Sequence, residues 1–122
     1  LTKARKGQGI YRKNVSAIEE ACRVTGTSDA DFLIASHIKP WAKSDNRERL
    51  DGSNGLLLAP HIDRLFDRGY ISFEDDGGLI LSKALPEAVR LQWEVSQKTS
   101  PVPFSAAQVQ YLNYHRTVLL RK

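Results

Sequence analysis

The chain has 122 residues, 41% of them apolar, a length that suits one domain with a modest core. Its lone cysteine, Cys22, rules out an internal disulfide framework or a four-cysteine zinc knot, so no structural zinc is expected and any bound metal must use oxygen or imidazole ligands. The formal charge of +4 is unevenly spread, with Lys3, Arg5, Lys6, Arg12 and Lys13 preceding the first acid, Glu19.

That basic segment, residues 1–13, suits a polyanion and equally suits a solvated arm. No window approaches the roughly 18 apolar residues of a membrane span, and no apolar stretch follows the basic start as in a signal peptide. The expectation is a soluble, cytoplasmic protein with no membrane partner. A start at Leu1 and the absence of methionine suggest part of a longer polypeptide.

In chain order, Asn14 or Ser16 is placed to cap a short helix through Ala21, with acids in its first turn. "CRVTG" reads as a brief strand closed by a glycine turn, and "FLIASHI" as a strand ending near His37. Residues 40–53, "PWAKSDNRERLDGS", read as an irregular polar loop of the kind that carries function. Trp41 within it suits packing against the loop or wedging into a nucleic-acid groove.

"LLLA" is the next strand, and Pro60 fits the first position of a helix that stops at Gly69. "YISF" and "LILS" flank a glycine turn as a hairpin. A helix is expected from Pro86 to about Lys98, and Ser105 caps a final helix, where His115 reads as structural. The class is α+β, with small sheets and peripheral helices.

Three features could carry chemistry. His37 leaves the core where a strand becomes a polar loop, which fits a catalytic imidazole or a hydrogen-bonded structural one. Asn54 opens the next strand at a turn, a common place for local hydrogen bonding. On the following helix Ile62, Leu65 and Phe66 form a buried stripe, and Asp63 and Asp67 lie one turn apart beside it. Those carboxylates suit a hard divalent cation, or a solvated face paired with nearby arginines.

The order of these elements resembles the HNH nuclease family, and is close to the HNH domains of bacterial restriction-like endonucleases. The similarity rests on "RKGQGIYR", "CRVTG", "LIASHIKPW", "NRERLDGSNGLLLAPHIDRLFDRGYISF" and "YLNYHR". It implies a ββα-metal core with an added β-hairpin and peripheral helices, in a single HNH domain over residues 1–122. His37 falls on the general base, Asn54 on the residue that braces the histidine loop, and Asp63 on the final metal-ligand position. Asp67, His61 and Ser36 are further metal candidates; His61 sits two residues early, and Ser36 stands where many members have an aspartate.

The implied activity is hydrolysis of DNA phosphodiester bonds with one divalent cation, Mg2+ or Mn2+, in the cleavage module of a restriction or defence protein. Arg12, Lys13, Lys39, Arg47, Arg49, Arg64 and Arg68 are the expected phosphate contacts. Double-stranded DNA is the expected partner, with further domains of the same polypeptide and a homodimer as open options in a bacterial-type cytoplasm. The departures at Ser36 and Asp63 motivate an alternative, a catalytically weakened DNA-binding module on the same fold.

Overall fold

A two-stranded antiparallel ribbon lies between two helices. The computed structural model describes residues 3–122, and the side chains of 7–122. Of the basic lead segment, Leu1 and Thr2 and the side chains of Lys3, Arg5 and Lys6 lie outside the described residues.

Strand β1, Ile34–His37, pairs with β2, Gly55–Leu58, in a register that sets Ser36 opposite Leu56 and His37 opposite Gly55. Strand alternation sends Ser36 and His37 to opposite faces. Helix α1, Lys3–Ser16, covers the His37 face with Tyr11 and Val15. Helix α3, Pro60–Asp67, covers the Ser36 face and buries Ile62, Leu65 and Phe66, the stripe its spacing predicts. Between the strands runs a connection held by a short helix α2, Asn46–Leu50.

Beyond α3, Gly69 turns the chain at φ 77° into a hairpin of β3, Ile71–Phe73, and β4, Leu79–Leu81. Helix α4, Glu87–Gln92, and helix α5, Ala106–Tyr114, follow; α5 continues into a π-helical turn, His115–Leu119. No helix among the described residues is long and apolar enough to cross a membrane.

The observed elements differ from the sequence reading at several places. The first helix ends at Ser16, where a cap was expected, and its backbone runs back through the basic segment read as an arm. Gly7, Gly9 and a cationic first turn oppose helix formation; burial of Tyr11 and Val15, one turn apart, supplies the counterweight. Glu19 is not a helix-start acid. It is buried, paired with Arg23 at 2.7 Å and accepting from Gln108 at 3.1 Å.

"CRVTG" is a turn, not a strand: the Gly26 N–H closes on the Cys22 carbonyl at 2.8 Å, and Gly26 adopts φ 82°. The supposed irregular loop contains α2, started by a reciprocal capping box between Asp45 and Glu48. The helix expected up to Lys98 stops at Trp93, where Glu94 takes φ 51° and the chain turns to bury Val95.

Behind α3 the core is aromatic. Phe66 stacks on His115 at 3.9 Å, and the His115 ring is held by the Ser72 hydroxyl at 2.8 Å and the Phe66 carbonyl at 2.9 Å. Burial pushes the His115 imidazole down to about 4 from an ordinary 6.5. Between those values the unfolded chain binds a proton that the folded chain refuses, so stability falls as pH drops. The loss amounts to on the order of 3 kcal/mol from this residue. Urea midpoints measured from pH 7 to pH 4 should decline steeply in the native chain and less steeply in His115→Gln.

Candidate active site

At the C-terminal end of β1, two adjacent residues serve two different surroundings. On the α3 face, Ser36 is buried and its hydroxyl donates to Oδ1 of Asp63. Asp63 is half-buried and, among the described residues, faces no cation within ion-pair distance. Burial raises its carboxyl above the ordinary range; the Ser36 hydrogen bond opposes this, and the charge of Asp67 adds to it.

On the α1 face, the His37 ring stacks on Tyr11 with centroids 3.8 Å apart and planes 4° from parallel. Its Nε2 lies 3.0 Å from the Arg49 carbonyl oxygen. A carbonyl only accepts, so Nε2 carries the hydrogen and Nδ1 keeps its lone pair. Burial also depresses the imidazole below its ordinary value, with the Arg49 charge as a smaller contribution in the same direction against the carbonyl bond. At neutral pH the ring is neutral, with Nδ1 unprotonated.

Asn54, fully buried, ties this arrangement together. Its side-chain oxygen accepts the Lys39 N–H at 2.8 Å, and its amide donates to the Glu48 carbonyl at 3.1 Å. Its own backbone carbonyl accepts from the Tyr11 hydroxyl at 2.6 Å. Glu48 immediately precedes Arg49, so Asn54 holds the strand of chain whose carbonyl orients His37. Asn54→Ala leaves the Lys39 N–H and the Glu48 carbonyl without these buried partners. It should cost about 2–4 kcal/mol of stability by denaturant titration.

The other sequence candidates are less closely gathered. Asp67 is 70% exposed and 4.0 Å from Arg68, near enough to Asp63 to act through its charge. His61 turns to Trp93, edge to face at 6.3 Å, as expected for a residue roughly 160° around the helix from Asp63. Among the described residues there is no group of three or more His, Cys, Asp and Glu side chains arranged to hold a metal.

The donor set nevertheless fits a hard cation. A hydroxyl and an uncompensated, half-buried carboxylate are oxygen ligands of the type Mg2+ takes sparingly from protein, completing its shell with water and substrate phosphate.

Several of the expected phosphate contacts are engaged within the fold. Arg12 donates to the carbonyls of Leu33 at 2.8 Å and Ala30 at 2.6 Å, clamping α1 to the segment before β1. Lys39 pairs with Glu48 at 3.0 Å. Arg49 lies 3.6 Å over the Trp41 ring and bonds the Trp41 carbonyl, so Trp41, 56% exposed, is covered by a cation on one side. Lys13 and Arg64 are exposed, and Arg47 and Arg68 are exposed with only distant acidic partners at 3.7 and 4.0 Å.

Missed in the sequence were Tyr11, the Arg49 carbonyl and the Lys39–Glu48 pair. Only Tyr11 left a signal, its apolar spacing with Val15.

The fold and these residues define a nuclease-type ββα unit: a ribbon, a helix packed on it, and a histidine at the end of the first strand. Residues 22–74 match the family described as HNH endonuclease. The matched segment holds the ribbon and α3, and it agrees with the α+β, ββα-metal class expected of the chain. It is similar in fold to a solved structure described as a modification-dependent TagI restriction endonuclease, at 20% identity and a TM-score of 0.50. The likeness covers 93% of this chain and 36% of that one. Comparison with curated proteins gave no match.

Proposed function

We propose that the chain hydrolyses DNA phosphodiester bonds with the help of one divalent cation, Mg2+ or Mn2+, and that His37 is the general base. The observation that carries this reading is the arrangement at the end of β1: a neutral imidazole held through Nε2 by a carbonyl, and on the strand's other face a buried hydroxyl bonded to a carboxylate that, among the described residues, has no cation partner. Bound there, the cation would supply Lewis-acid stabilisation of the charge that develops on the phosphate.

Ser36 and Asp63 would hold that ion. His37 Nδ1 takes the proton from the attacking water, while the Arg49 carbonyl holds Nε2–H and so favours the imidazolium that forms. Asn54 keeps the carbonyl in place. Lys13, Arg47, Arg64 and Arg68 would meet the phosphates and give affinity without base preference. In a bacterial-type cytoplasm such a domain would serve as the cleavage module of a restriction or defence protein, joined to further domains or to a second copy.

The two-oxygen donor set also favours one other reading, a DNA-binding module with weakened cleavage. Supercoiled plasmid separates the two. With Mg2+ or Mn2+ the chain should convert it to open-circular or linear DNA, and a chelator should stop the reaction. Binding should weaken steeply as salt rises. Salt-sensitive binding with intact plasmid supports the module; cleavage unchanged by chelator overturns metal dependence.

A further inference from the structure

We infer that Tyr11, on a helix outside the family-matched segment 22–74, is a positioning residue that fixes the plane of the His37 imidazole. This rests on the reading of His37 as the base.

Histidine has a broad preference about its outer side-chain torsion, so a strand end alone does not set where Nδ1 points. One hydrogen bond, from Nε2 to the Arg49 carbonyl at 3.0 Å, leaves the ring free to pivot about that contact. The Tyr11 ring, parallel to within 4° at 3.8 Å, blocks that pivot. The two restraints are perpendicular, one in the imidazole plane and one across it.

Tyr11 is itself anchored. It is 3% exposed, and its hydroxyl donates to the Asn54 carbonyl at 2.6 Å. Burial and the charge of Asp51 raise its phenol further above its already high value, so it stays a donor.

The ribbon is shaped to admit this ring. Gly55, the cross-strand partner of His37, is where a Cβ would sit 2.2 Å from the Tyr11 hydroxyl and 2.5 Å from Val15 Cγ2. Any side chain there would push Tyr11 off its anchor. Two positions far apart in sequence, 11 and 55, thus leave a slot over His37 that the aromatic ring fills.

The test is steady-state nicking of supercoiled plasmid with Mn2+ by the 122-residue chain and its variants. Tyr11→Phe keeps the stack and should stay within about threefold of the native kcat. Tyr11→Leu should lower kcat by about 10- to 100-fold with the plasmid KM unchanged. Added to His37→Ala, it should cause no further loss. Tyr11→Leu at native kcat, while His37→Ala is slow, overturns the role of Tyr11 and leaves the base in place. A loss that appears in KM, or that adds to His37→Ala, overturns it too. His37→Ala at the native rate overturns the base itself, and an intact plasmid with the native chain overturns the nuclease reading with this proposal.

If Tyr11→Leu does not fold, proton NMR of the native chain and Tyr11→Phe decides. The ring current of the stack should shift the His37 ring protons upfield in both, and unshifted resonances overturn the proposal.

Discussion

Asp63→Ala should abolish metal-dependent plasmid cleavage, a loss of about 100-fold or more, while His61→Ala should weaken it far less. The order follows from what each side chain touches. Asp63 accepts from Ser36 on the ribbon face of α3, whereas His61 turns to Trp93. A larger effect from His61→Ala would mean that the opposite side of α3 holds the ion.

A second readout needs no cleavage. Burial raises the Asp63 carboxyl, so ionising it at neutral pH costs the folded state free energy that the unfolded chain avoids. For an acid shifted upward, stability is fully present below the unfolded value and is lost as pH rises through the folded one. In chelator at pH 7, Asp63→Asn should therefore melt above the native chain. Excess Mg2+ should raise the native midpoint and leave that of Asp63→Ala unmoved, because an ion bound only by the folded state stabilises by mass action. An Asp63→Asn chain less stable in chelator than the native one would show that the carboxylate is already compensated.

The ribbon, α3, the hairpin and the final helix were legible in the sequence because each carries a local signal: an apolar run, a proline at a helix start, a glycine at φ 77°, a serine cap. The core class was legible through spacing on β1 and α3 together with the family resemblance, and the hydrogen bond of Ser36 to Asp63 joins two of the expected metal candidates across those elements. Helix α1 was not, because glycines and a basic first turn speak against it and its stability comes from packing on a ribbon formed much later in the chain.

The same cause hid the surroundings of His37. Its hydrogen-bond partner is a backbone carbonyl, which no residue type announces, and its stacking partner lies 26 positions earlier. Among the cations, sequence gives charge but not occupation. Arg12 and Arg49 are both expected phosphate contacts, and in the fold their guanidiniums bond the carbonyls of Ala30, Leu33 and Trp41. Arg12→Ala should therefore be read as a structural change, while Arg64 remains exposed.

His37→Ala should lower kcat by about 10²- to 10⁴-fold, the range of a lost general base, with the plasmid KM within about threefold. The Ser36 and Asp63 oxygens, proposed to hold the ion, lie on the other face of β1, so Mg2+ should raise the melting midpoint of His37→Ala as it should that of the native chain. That separates the base from Asp63, whose removal abolishes both responses.

Removing the imidazole also leaves a flat space bounded by the Tyr11 ring and the Arg49 carbonyl. Free imidazole should enter it, donate one N–H to that carbonyl and present its other nitrogen where Nδ1 stood. Millimolar imidazole should then restore part of the rate in His37→Ala and none in Asp63→Ala. Rescue confined to His37→Ala requires a proton acceptor at this position. A His37→Ala chain that cuts at the native rate would assign the proton transfer elsewhere, and His37 would be a structural residue at the end of its strand.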